Sequence, residues 1–184
     1  MCALVLALVV SAVARPVLAT VIAAVPFEAQ SKTADRVFVG TVIAVESRRN
    51  PSAPRYFETL VELRVEEPVA GEVAQRMVLR LSGGQVGNVE QVIDDMPEFG
   101  VGERYVVFLE RDREPRLTSP IVGFNQGLYR LVRDGNRTVV RDRKGRPLAS
   151  AEKAAVSRAL TGREDAVGEP DLESFVAAIR AARQ

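Results

Sequence analysis

The chain contains no histidine and a single cysteine, Cys2. These two absences decide most of its possible chemistry. Without imidazole there is no Ser–His–Asp or Cys–His nucleophile, no histidine general base and no histidine-ligated metal. Cys2 falls in an apolar leader, so the rest of the chain has no thiolate, disulfide or cysteine-bound zinc. A serine–lysine pair would have to draw on Lys32, Lys144 or Lys153. Ser31 adjoins Lys32, but neighbours in an extended chain point apart.

Carboxylates, guanidinium groups and one glycine-rich stretch remain. Asp94, Asp95, Glu98 and Glu103 lie close together in sequence. Such oxygens could gather a cation or work as an acid–base pair. Their spacing fits no calcium-loop pattern and reads as a solvated loop edge. The stretch GGQVGN, residues 83–88, lacks the Lys-Ser/Thr pair and following helix of a phosphate-binding loop. It reads as a flexible connection between strands. Arg48, Arg49 and Arg55 flank a proline-containing loop and could hold a phosphate or carboxylate by paired N–H donors. The binding candidates are therefore Arg48, Arg49, Arg55, Gly83, Gly84, Asp94 and Asp95. Tyr129 with Gln126 is a further pair placed at a barrel mouth. No catalytic residue, metal or cofactor is expected.

These residues must be positioned by strands. Residues 37–45, VFVGTVIAV, form a continuous β-branched run, the pattern of a strand buried on both faces, and Gly40 suggests a bulge within it. Residues 56–66 alternate, with Phe57, Thr59, Val61, Leu63 and Val65 on one face; Pro68 and Gly71 are expected to end the strand. Residues 76–81 alternate again, with Met77, Leu79 and Leu81 inward. A long loop over 82–103 leads to a strand at 104–110. Residues 127–133 and 137–141 flank Asp134-Gly135, a hairpin signal. A short β run over 20–25 and two helical turns over 27–35 precede all of these. The tail reads as two helices, 150–160 behind Ser150 and 171–182 behind Asp171 as N-caps. In the second, Leu172, Phe175, Val176 and Ile179 share one face.

The composition fits this plan. Hydrophobic residues make up 47% of 184, enough for a core, and aromatics only 5%, so Val, Leu, Ile and Ala must fill it. Lys and Arg total 25 against 24 acidic residues. That balance projects no strong field, so neither nucleic acid nor an anionic membrane is an expected partner. The apolar run 2–14 suits the hydrophobic region of a signal peptide and is short of the roughly 20 residues of a membrane span. Cleavage is expected before Thr20, leaving no stable membrane anchor. The divisions are then a leader over 1–19, a small antiparallel barrel over 20–148 and a helical appendage over 149–184.

Three features carry a family resemblance: Asp35 entering the first long strand, Gly83-Gly84, and the turn Pro97-Glu98-Phe99 with Gly102-Glu103. Residues 20–135 on this basis resemble a group of exported bacterial proteins of unknown function. Their order of elements is similar to the OB-fold of tissue inhibitors of metalloproteases and netrin-like modules. The resemblance implies a mainly β, OB-like barrel with one short N-terminal helix and two C-terminal helices. It does not carry over the inhibitors' mechanism, which needs a cysteine-led N-terminus held by disulfides. The expected function is a secreted or periplasmic, non-catalytic module. It would bind another exported protein through loops 48–55 and 82–103. The alternative is an inhibitor or chaperone of a co-secreted protease.

Overall fold

The structure is a computed structural model that describes residues 23–111, 118–164 and 168–184. The expected leader and cleavage site lie outside the described residues. Helix α1 (Phe27–Thr33) precedes a long hairpin of β1 (Arg36–Arg49) and β2 (Phe57–Ala70). Then come β3 (Arg76–Ser82), a small hairpin of β4 (Gly84–Val86) and β5 (Val89–Gln91), and β6 (Arg104–Leu109). A second hairpin, β7 (Leu128–Asp134) and β8 (Arg137–Arg141), leads to α2 (Ser150–Thr161) and α3 (Leu172–Ala182). The fold is mainly β. Six antiparallel strands form one sheet in the order β3-β2-β1-β6-β7-β8, and β4-β5 stands apart from it.

The sheet has two working faces. On one, Val37 and Val39, Val106 and Phe108, Tyr129 and Leu131, and Val140 pack against all three helices. Phe175 of α3 anchors this layer, its ring 5.3 Å from that of Phe27 and 4.9 Å from that of Tyr129. On the other face, Phe38 and Val42 join Val61, Leu63, Leu79, Leu81, Tyr105 and Val107 in a separate core. β1 feeds both, which is what its unbroken apolar run encodes.

The second core requires the sheet to curl. Pairing between β1 and β2 shifts register between Val37 and Phe38, between Val39 and Gly40, and between Val42 and Ala44. Each irregularity bends the strand and sharpens its twist. A methyl group at Gly40 would stand 3.0 Å from the Arg64 carbonyl and 3.1 Å from the Phe38 ring, so the bend needs glycine. The curl brings β3 back toward the far side of the sheet. Ser82 N donates to Thr118 O at 2.9 Å, and the segment after Thr118 meets the end of β6, where Leu109 bridges Ile121 and Glu110 N, just past the strand, donates to Pro120 O.

The expected barrel is nevertheless not closed. β3 and β8 end the sheet without pairing with each other. The outer edge of β8 is occupied instead by the approach to α3, where Val140 N donates to Pro170 O and Val139 bridges Asp171. The C-terminal helices therefore cover a sheet face, and the tail is part of the main core. Three local expectations also change. Residues 23–26 form no strand, because Val25 is held by the Gln126 side chain and by Gln30. β2 runs through Pro68 to Ala70. Proline is tolerated there because β3 stops opposite Arg64, leaving that edge free. Ser150 is the first helical residue of α2, and Ala149 occupies the N-cap without a side-chain bond. Asp171 does cap α3, accepting from Ser174 N at 2.8 Å.

Candidate functional site

The long connection 82–103 is built, not slack. Gly83 N donates to Phe57 O at 2.9 Å, and Phe57 N donates to Gln91 Oε1 at 2.7 Å, so β4–β5 is fastened to the end of β2. Thr59 Oγ1 donates to Gly83 O at 2.9 Å. Its proton is then committed, so Ser47 Oγ is the donor in the 2.9 Å Ser47–Thr59 contact. Gly84 lies directly above this pair. A methyl group on it would come within 2.4 Å of both hydroxyls, and its φ is +126°. The Gly-Gly pair thus allows close approach of the hairpin to the sheet, and the flexible connection expected from sequence is corrected to a docked flap.

Residues 92–103 are fastened at both ends. Asp95 adopts φ +58° and is bonded by Asn125 and Arg143. The Asn125 amide, first among these contacts, holds the Asp95 carboxyl below its ordinary value. At the other end, Glu103 Oε2 accepts from Gly100 N at 2.9 Å and from Tyr105 OH at 2.5 Å, while Oε1 pairs with Arg130. Burial pulls the Glu103 carboxyl upward, but these three donors together hold it below its usual range. Burial, reinforced by Glu103, raises the Tyr105 phenol. Phe99 stacks edge-on to Tyr105 at 5.3 Å, and Met96 packs beside it against the second core. The Pro-x-Phe-x-x-Gly-Glu turn is a self-clamped plug at the open end of the curled sheet.

Between flap and plug lies a groove of about 360 Å³. Val45, Val61, Leu81, Val92, Met96 and Phe99 are among its apolar lining, and Thr59, Ser82 and Gln91 line it as well. Val92 is 74% exposed and Val101, nearby in the chain, 68%. Glu90 and Glu98 stand on the rim and are exposed. Asp94, also exposed, follows Ile93. None of the three forms an ion pair with a described residue.

The seven candidates are distributed unevenly around this groove. Gly83 and Gly84 line it, Asp95 braces it, and Asp94 faces solvent. Arg48 is bound to Glu58 at 2.7 Å. Arg49 donates to Pro54 O at 3.1 Å and lies over the Phe57 ring, and Arg55 stacks on Tyr56, both with the guanidinium carbon 5.2 Å from the ring centre. The arginines stiffen the hairpin tip beside the flap. Tyr129 and Gln126 do not form a mouth. Gln126 ties down residues 23–25, and Tyr129 is buried under the helices, its hydroxyl between Gln30 Oε1 at 3.0 Å and Glu152 Oε1 at 2.8 Å. Burial and the nearby Asp142 push the Glu152 carboxyl up.

Sequence reasoning missed β4–β5 and the rim role of Glu90, Val92 and Glu98. Val89-Glu90-Gln91 after Gly87-Asn88 was the available signal, a three-residue strand too short for its alternation to register. Among the described residues no group of three His, Cys, Asp or Glu side chains is placed to hold a metal ion, and no helix is long and apolar enough to cross a membrane. Compared with protein-family models, with curated proteins and with solved structures, the chain finds no match in any of the three.

Proposed function

We propose that this protein is an exported, non-catalytic binding module that seats a segment of another exported protein in the groove between its flap and its plug. A chaperone or inhibitor of a co-exported protease would be one kind of such module. The observation that carries this reading is the apolar groove itself, with Val45 and Val92 left exposed on its walls. Solvent-facing apolar side chains that line a concavity and are ringed by polar groups are characteristic of interaction sites. Both flanks are braced by internal hydrogen bonds, so little ordering cost opposes binding. The likeness to inhibitor and netrin modules rests on element order alone.

Two measurements test the proposal. Photo-crosslinking from position 45 in exported protein should capture a partner, and Val92→Asp should abolish that capture without lowering the melting temperature. Capture that survives Val92→Asp, or reproducible turnover of a substrate, would overturn it. N-terminal sequencing of protein recovered outside the cytoplasm should begin at Thr20. An intact Met1 on folded cytosolic protein would remove export from the reading.

A further inference from the structure

We infer that the segment seated in the groove is an apolar stretch flanked by lysine or arginine. This rests on the binding reading above and adds the chemistry of the partner. Most of the side chains lining the groove are apolar, so the centre of the occupant is apolar too. The rim decides its flanks. Glu90 and Glu98 both line the groove, one on the β5 strand of the flap and the other on the plug.

Five carboxylates on the strands and the plug are neutralised locally. Glu58 is paired with Arg48, Glu62 with Arg76, Glu66 with Arg104, Glu103 with Arg130 and Asp95 with Arg143. Glu90 and Glu98 have no such partner among the described residues, and no lysine or arginine lines the groove. The arginines at the β1–β2 tip are turned to their own hairpin through Glu58, Pro54 O and the rings of Phe57 and Tyr56. A near-neutral protein thus keeps an acidic border around its exposed apolar groove. An acidic flank on a bound segment would meet like charge, and a basic flank would meet opposite charge. Electrostatic complementarity of this kind selects the partner and its register.

The test uses the full mature chain and two labelled synthetic peptides with the same four-residue apolar centre. One carries two lysines on each side and the other two glutamates. Fluorescence anisotropy at low salt should show the lysine peptide binding at least about tenfold more tightly, the effect of two exposed charge pairs. The preference should shrink as salt is raised. The double variant Glu90→Lys, Glu98→Lys should reverse it, and circular dichroism should show both proteins equally folded. Equal binding of both peptides would overturn the charge inference and leave the groove reading intact. Binding of neither peptide would overturn both. Binding that persists in Val92→Asp would place the peptides elsewhere and overturn the inference as well.

Discussion

Asn125 spends its side-chain amide on Asp95, donating to the backbone oxygen at 2.8 Å and to Oδ2 at 2.7 Å. Asp95 has φ +58°, and Phe124, the residue before Asn125, has φ +71°. These are the two non-glycine residues in the left-handed region among those described, and side chains are disfavoured there. The unfavourable backbone at both ends of this contact is held by the contact itself. Asn125 is buried, so removing its amide should cost about 1–3 kcal/mol. Asn125→Ala is expected to lower the denaturation midpoint accordingly and to raise hydrogen exchange in residues 92–99. An unchanged exchange pattern would mean that the plug is held by Glu103 and its apolar side chains alone.

The Glu103 clamp predicts acid sensitivity. Its carboxyl in the folded protein titrates below its ordinary value of 4.5. Its stabilising contribution is therefore complete above about that pH and is lost as pH falls through the lower, folded value. Glu103→Ala should be destabilised by about 1–3 kcal/mol at neutral pH, since Tyr105 OH, Gly100 N and the Arg130 guanidinium lose their acceptor. The gap from the parent should narrow below pH 4. Urea melts from pH 7 to pH 3 would check this, and a gap independent of pH would assign the loss to packing.

Glu152 predicts the opposite slope. One phenol proton on Tyr129 faces two acceptors, Gln30 Oε1 and Glu152 Oε1, and Gln30 Nε2 is fixed by its 2.8 Å bond to Val25 O. A proton on Glu152 lets all three groups be satisfied. The carboxyl is raised from 4.5 in the fold, so its favourable contribution is full below that pH and is lost as pH rises through the folded value. Glu152→Gln should equal or exceed the parent in melting temperature at pH 7, with the advantage gone below pH 4.5. Tyr129→Phe, which strips the shared donor from a buried site, should cost about 1–3 kcal/mol. If Glu152→Gln melts well below the parent at pH 7, the charged form is the one the fold uses.

Phe175→Ala should remove about 3–5 kcal/mol of stability. Its ring is fully buried between Phe27 and Tyr129, where three elements meet. Arg180→Ala, on the outer side of the same helix, breaks only an exposed pair with Glu67 and should cost less than about 1 kcal/mol. Denaturant melts of equal midpoint would show that α3 is not part of the cooperative fold.

Much of this architecture was readable in the sequence, and the reasons differ by element. Period-two alternation marked β2 and β3 because each buries one face only. The unbroken run 37–45 marked β1 because it is buried twice. Asp171 and the apolar face of α3 marked its start and its docking side. Closure could not be read, since it depends on which segment takes the edge of β8, and nothing local to Pro170 announces that it will. The groove was half-legible. Gly83-Gly84 and the Pro97–Glu103 turn stood out by residue type, but that Glu90 and Glu98 would line one groove is a consequence of folding. The arginines at 48, 49 and 55 drew notice by charge, and the structure spends them within their own hairpin.

β1 gives Val37 and Val39 to the helix-covered core and Phe38 and Val42 to the curled one. One residue added or removed between Arg36 and Val42 would exchange these sets and spoil both interiors at once. The tip 50–56, with exposed Pro51, Ser52 and Arg55, can change length at little cost. Divergence in this lineage should therefore proceed by substitution along β1 and by insertion or deletion at the hairpin tip, so the frame would keep its spacing long after its residues had ceased to resemble one another.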